Sequence, residues 1–357
     1  MTQHATNIAS PEAPTVEQLL LGIPEEYMER VAQLLERYPT MFRVLRAFNP
    51  EEIMLRPEQV PEDAGRFIVA DVEGTGTDAN ADHICEVGMV EVAYCKMTGY
   101  LYGVTRVFDE LEDPGVPIPA EASAVNHITD DMVAGRHIDD EDVNGMVETA
   151  DFIVCHNSSY DRPMLERRFP VFTGKAFACS LKQIPWAQAG VASAKQEFIA
   201  QVVMGFFYVA HRADSDCLAL VKILNTSLPG LENDTPFQRL VAKYRSPELR
   251  IWAVEAPFEA KDSLYKRGYA WSDGKTPGTE KAWNRAVPAA EFHAELTWLY
   301  GNVYRKRQYS VAVDSVTEFN RFSSRRHKLG MAFCSASGLQ NPQLLPPEVL
   351  AALPAVA

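Results

Sequence analysis

The sequence predicts a mixed α/β fold in which three strands come first and helices then alternate with strands. Three observations carry this. Between Arg66 and Phe108 three apolar, β-branched runs follow one another, "FIVADV", "ICEVGMVEVAYC" and "LYGVTRVF", the last two separated by the turn "KMTGY". Further on, the short runs "FIVCHN" and "AFACSL" each border text with helical spacing. An apolar content of 46% in 357 residues is ample for real cores.

In chain order, residues 1–15 are polar, broken by Pro11 and Pro14, and expected to be a disordered tail. Residues 16–62 read as a helical N-terminal segment: Val31, Leu34 and Leu35 have helix spacing, Pro24 and Pro39 punctuate it, and Pro57 and Pro61 close it. The main domain is expected over 63–227. It opens with the antiparallel three-strand meander, continues through a loop at 109–119 and helices near 130–134 and 140–149, and reaches the strand "FIVCHN". The helix "YDRPMLERRF" follows, with Pro163 in a first turn where a missing N–H costs nothing. The strand "AFACSL" and the helices "SAKQEFIAQVVM" and "CLALVKILN" complete a meander-then-αβαβα order. Residues 228–242 read as a linker, 243–330 as a small α+β accessory domain and 331–357 as a C-terminal tail.

The chain has no apolar stretch of about 18 residues and no signal-peptide pattern at its start, which predicts a cytoplasmic protein with no membrane partner. Six scattered cysteines with no zinc spacing read as reduced thiols. The net charge of −14 alone argues against a polyanionic partner, but it is unevenly spread. Residues 243–330 hold 16 Lys and Arg against 10 Asp and Glu, whereas residues 1–242 hold 18 against 37. That asymmetry suits a metal-dependent acidic site on the first part and a polyanion-gripping surface on the second.

Chemistry concentrates in three places. In "RFIVADVEGTGTD" a strand ends in Asp71 and Glu73, whose side chains share one face and need a cation or a proton to coexist; Mg²⁺ or Mn²⁺ suits an all-oxygen pair. In "VCHNSSYDRP" Asp161 stands at a strand-to-helix junction, where a helix cap and a site role are equally open. In "HRADSDCLALV" His211 precedes Asp216 by five residues, with Asp214 competing for either a capping or a site role.

Together with "ICEVGMVEV", "VNHITDDMVAG", "HNSSYDRPML" and "GFFYVAHRADSDCLAL", these segments resemble the DEDDh family of 3′–5′ exonucleases, which includes the proofreading epsilon subunits of bacterial replicative polymerases. The resemblance covers about Arg66 to Asn225 and implies an RNase H-like fold. It further implies that Asp71, Glu73, Asp161 and Asp216 hold two divalent cations, Mg²⁺ or Mn²⁺. Asp71 would bridge both ions, Glu73 and Asp216 would serve the nucleophile-side ion, and Asp161 would hold the second. His211 would accept a proton from the attacking water; Arg212 stands where the sister DEDDy branch has tyrosine. Thr75 and Gly76 would line the terminal-nucleotide pocket with backbone N–H groups near the 3′-hydroxyl, and Asn157 would position substrate. Gly74 departs from the family's usual threonine there. The implied activity is metal-dependent hydrolysis at the 3′ end of single-stranded or frayed DNA. An exoribonuclease and a non-catalytic adaptor that binds nucleic-acid ends are the rival readings.

In the accessory domain Lys261, Lys266, Arg267, Lys281 and Arg285 interleave with Tyr265, Tyr269, Trp271 and Trp283. This pattern fits either a grip on a single strand or inward-facing core aromatics under a basic rim. The runs at 305–307 and 325–328 are candidate phosphate contacts.

Overall fold

The computed structural model describes residues 25–38, 41, 44–232, 234–275, 279–325, 329–336 and 338–353. The expected tail at 1–15 lies outside them, as do residues 326–328 of the basic run. The chain divides into two units, Met1–Arg46 and Ala47–Ala357. In the first, helix α1 (Glu25–Arg37) presents Tyr27, Val31 and Leu34 at helix spacing, all exposed. The expected helical segment therefore stops well short of residue 62. Residues 47–62 belong to the second unit, where Pro50 and Pro57 cut the chain into 3₁₀ turns and Ile53 is buried in the main core.

The meander forms as expected. Strands β1 (Gly65–Gly74), β2 (Ile84–Tyr94) and β3 (Leu101–Leu111) pair antiparallel, and β4 (Phe152–Cys155) and β5 (Phe177–Cys179) join in parallel. Among the described residues the order is β3-β2-β1-β4-β5. Helices α2 (Ala120–Asn126), α3 (Asp130–Val133), α4 (Asp140–Val147), α5 (Ser158–Arg168), α6 (Ser180–Gln183) and α7 (Ala213–Leu224) surround this sheet. Alternation on β1 sorts them: Phe67 and Val69 pack with α7, while Ile68, Ala70 and Val72 pack with α4 and α5. Helix α7 sits hard against β2, since a Cβ on Gly88 would fall 2.3 Å from the Ala213 carbonyl carbon.

The expected linker is instead part of the core. Helix α8 (Pro236–Tyr244) is started by a reciprocal Thr235–Gln238 capping box with Pro236 in its first turn. Its Phe237, Leu240 and Tyr244 are buried, the Phe237 ring stacking 4.4 Å from Phe67.

The accessory region is an antiparallel sheet of β6 (Glu248–Ala253), β7 (Ala270–Trp271), β8 (Trp283–Pro288), β9 (Tyr309–Val316), β10 (Gly330–Ser335) and β11 (Gly338–Gln340). Its order among the described residues is β11-β10-β9-β6-β8-β7. Helices α9 (Lys261–Lys266), α10 (Phe292–Asn302) and α11 (Pro347–Ala352) share one core with it. The expected tail thus supplies β10, β11 and α11. Strand β10 alternates buried Ala332 and Cys334 with exposed Met331 and Phe333, the pattern of a half-covered strand.

Arg162 of α5 fixes this sheet to the first. Its side chain is fully buried, pairs with Glu166 at 2.7 Å and donates to the carbonyls of Glu318 (3.1 Å), Phe319 (2.6 Å) and Arg321 (2.8 Å). The Phe177 N–H of edge strand β5 donates to the Glu318 carbonyl as well. The described cysteines are all free. Among the described residues no helix is long and apolar enough to cross a membrane.

Candidate active site

Asp71 and Glu73 continue the face of β1 that carries Phe67 and Val69, and this is the face α7 covers. Asp216, in the first turn of α7, therefore meets them. One carboxylate oxygen from each of Asp71, Glu73 and Asp216 lies within 4.8 Å of the other two. Asp161 arrives from the opposite face. Strands β1 and β4 run parallel in register, Val69 beside Val154, so both end at the same edge. The chain leaving β4 enters α5, and Asp161 in its first turn accepts the Val72 N–H at 3.3 Å, between Asp71 and Glu73. This is the edge where open α/β sheets bind ligands.

The cluster is short of positive charge. Burial, and then Asp161, Asp216 and Glu73, hold the Asp71 carboxyl well above the carboxylate range. Burial and the neighbouring Asp216 push Glu73 up to about 8. Burial lifts Asp161 to about 7 and raises Asp216 as well. Asp216 alone has a full set of donors: the Tyr208 hydroxyl (3.0 Å), Gln196 Nε2 (3.1 Å) and the His211 N–H (2.6 Å). Crowded, oxygen-only and anionic, this donor set fits hard divalent cations. Asp214 stands apart from it, its carboxylate accepting the Ser215 N–H at 2.7 Å.

His211 has left-handed backbone (φ 62°), which turns the chain so that its N–H reaches Asp216. It lines, with Asp71, Glu73, Asn157, Tyr160 and Asp216, a cleft of about 500 Å³. A second cleft of about 760 Å³ adjoins it through Glu73, Asn157 and Tyr160 and takes in Thr75, Gly76 and Asn126. Asn157 is exposed where the two meet. Thr75 differs from expectation in one respect. Its N–H donates to the His83 carbonyl (2.9 Å) and its hydroxyl accepts the His83 N–H (3.0 Å), so it shapes the wall and has no backbone donor left for a ligand. Arg212 bonds the fully buried Glu86 at 2.6 Å, anchoring α7 to β2.

Several residues escaped the sequence reading. Tyr160 explains Gly74: a Cβ there would fall 2.7 Å from the Tyr160 oxygen, which donates to the Gly76 carbonyl at 2.7 Å. The ring thus occupies the room a threonine would need. The stretch expected as a plain helix, "SAKQEFIAQVVM", is one turn (Gln196–Phe198) running into a π-helix (Ile199–Met204), with Gln196 against Asp216. His156 is a half-buried imidazole between Ser180 and the Ala194 carbonyl, its pKa lowered to about 4 by loss of solvent around the ring. Asn126, buried, donates to the Gly74 carbonyl at 3.3 Å; the only signal for it was its place in "VNHIT".

Residues 68–224 match the model of an exonuclease family, RNase_T. The chain is 32% identical over 122 residues to a DNA polymerase III subunit epsilon-like protein of Rhodobacter capsulatus, covering 33% of this chain and 16% of that protein. It is 25% identical over 170 residues to the DNA polymerase III subunit epsilon of Treponema pallidum, covering 45% of this chain and 76% of that one. Among solved structures it is similar to Exonuclease X in complex with 5′-overhanging duplex DNA, with a TM-score of 0.34 and 22% identity over 48% of this chain and 99% of that one. It is also similar to an E. coli ExoI–ssDNA complex, with a TM-score of 0.43 and 12% identity over 63% of each chain. The matched segment, residues 68–224, is the one that carries the carboxylate cluster, and what it is similar to is an exonuclease family.

Proposed function

We propose that the protein hydrolyses single-stranded or frayed DNA from its 3′ end, releasing nucleoside 5′-monophosphates. The observation that carries this is the meeting of Asp71, Glu73 and Asp216 within 4.8 Å at the mouth of a cleft. Two divalent cations, Mg²⁺ or Mn²⁺, held by these three residues and Asp161, would supply the positive charge that stabilises the attacking and leaving oxygens of an in-line displacement. Asp161 binds with its orientation set by the Val72 N–H, and Asp216 with its orientation set by Tyr208, Gln196 and the His211 N–H. The His211 ring takes the proton of the attacking water and releases it to solvent, to which the residue is exposed. Asn157 and Tyr160 position the terminal nucleotide where the two clefts meet, and Gly76, with no Cβ, leaves the Asp82 carboxylate in its place against the loop. The relatives named for DNA polymerase III subunits support DNA over RNA.

The test is a time course on 5′-labelled DNA and RNA of one sequence, with Mg²⁺, Mn²⁺ or EDTA, for wild type and Asp161→Ala. A metal-dependent ladder on DNA that the variant lacks is expected. A faster ladder on RNA would reassign the substrate. Binding of DNA ends with no ladder would favour an adaptor.

A further inference from the structure

We propose that a groove between the two sheets is a binding site for the phosphate backbone of a single DNA strand on its way to the active site. This rests on the exonuclease reading above. The groove, about 430 Å³, is lined from the first sheet's side by Ser159, Lys182 and Lys243 and from the accessory side by Arg250, Arg321 and Phe322.

Its charge is the first reason. Four cationic side chains and one carboxylate, Glu248, line it in a chain whose net charge is −14. Arg321 pairs with Glu248 at 3.2 Å, and Arg250 lies 4.0 Å from Asp314 beneath. Lys182 donates to the Ser159 hydroxyl at 2.5 Å. Among the described residues no carboxylate lies within 4.0 Å of the Lys182 or Lys243 ammonium. Arg321 is 6% exposed, held by the carbonyls of Tyr244 and Ser246 at 2.8 Å each, and its Nε has no partner among the described residues. Arg321 is thus a fixed charge in the wall, and the two lysines are the cations left to meet an anionic ligand.

Continuity is the second. Ser159 of the groove lies between Asn157 and Tyr160 of the catalytic cleft, and Lys182 follows Leu181 of that cleft. The two clefts thus draw on neighbouring residues of the same two helices, α5 and α6. Rigidity is the third: the Arg162 bonds that join the sheets hold the Glu318–Arg321 stretch, so the groove is formed before any strand arrives. Phe322, at φ 71°, is kept in a conformation bulky residues avoid, with the Lys182 ammonium 5.5 Å from its ring centre.

The test compares the full-length wild type with Lys182→Ala/Lys243→Ala and with Lys182→Arg/Lys243→Arg. Two substrates are used, a long single-stranded oligodeoxynucleotide and the p-nitrophenyl ester of thymidine 5′-monophosphate, which is too short to reach the groove. Anisotropy with the labelled long strand in EDTA reads affinity against salt. For the alanine pair, kcat/KM on the long strand is expected to fall roughly tenfold more than on the ester. The salt slope of its affinity should shrink by about 0.7 per lost phosphate contact, and the arginine pair should restore both. An alanine pair that matches wild type in the ratio and the slope overturns the groove, as does an arginine pair that restores neither. If the wild type turns over neither substrate but the slope still depends on the lysines, the exonuclease reading fails and the groove stands.

Discussion

The accessory sheet and the carboxylate cluster at the edge of the first sheet treat their buried acids in opposite ways. In the accessory region Glu295, 3% exposed, is met by Arg267 and Arg285, each at 3.0 Å, and by the Tyr269 hydroxyl at 3.0 Å. Asp314 accepts the Trp252 indole N–H at 2.6 Å. Glu86 of the first sheet is likewise answered by Arg212. Among the described residues no Lys or Arg forms an ion pair with Asp71, Glu73, Asp161 or Asp216, and these carboxyls are held above their ordinary range by burial and by one another. Acids that serve the fold come with their counter-charge in the sequence; acids that serve chemistry leave a place for one from solution.

That contrast can be broken most severely at Asp71. Asp71→Asn is expected to lower kcat/KM on DNA by about 10³-fold or more, the scale of losing a group that stabilises transition-state charge. In EDTA the same variant should melt no lower than wild type, because an amide does not bear the cost of keeping a buried carboxyl protonated. Glu295→Ala should do the reverse. It leaves two half-exposed arginines unanswered and should cost about 2–3 kcal/mol in denaturant unfolding, with the metal requirement unaltered. Gly74→Thr probes the fit of Tyr160. Overpacking should cost about 1–3 kcal/mol, and Tyr160→Ala in the same chain should recover part of it.

The smallest effect is the pH dependence of melting. With metal removed, the clustered carboxyls keep their protons to higher pH in the folded state than in the unfolded state, where they titrate near pH 4. Their contribution is therefore full at low pH and is lost as pH rises through about 7 for Asp161 and about 8 for Glu73. His156 has the opposite sign, since its folded value of about 4 lies below the ordinary one. It opposes the trend only below about pH 6.5. Between pH 6.5 and 8 the EDTA-treated protein should lose about 2–4 °C of Tm per kcal/mol. Saturating Mg²⁺ should abolish that slope; a slope that persists with Mg²⁺ would place the repulsion elsewhere.

Much of the first sheet was legible because its signals are local. Alternation writes the strands, and D-x-E at a strand end, Asp at a strand-to-helix junction and H-x₄-D on a helix mark the cluster. What was not legible depends on partners distant in sequence. Phe237 looks like linker text until Phe67 is beside it, and Arg162 looks like a surface residue of α5 until the carbonyls of residues 318–321 meet it. Tyr208 and Gln196 bear no charge that would single them out; they matter because the chain around a π-turn brings them to Asp216. In the accessory region Arg267 and Arg285, candidate strand grips on paper, turn inward to Glu295, and Tyr269 is buried. Trp271 and Tyr265 remain exposed.

The most direct measurement follows a label placed on the 3′-terminal nucleotide of single-stranded DNA. With Mn²⁺ the wild type should release it as a labelled mononucleotide from the first time point, with no release in EDTA or by Asp71→Asn. Release that persists in EDTA, or in Asp71→Asn with Mn²⁺ present, would contradict a divalent-metal nuclease built on these four carboxylates.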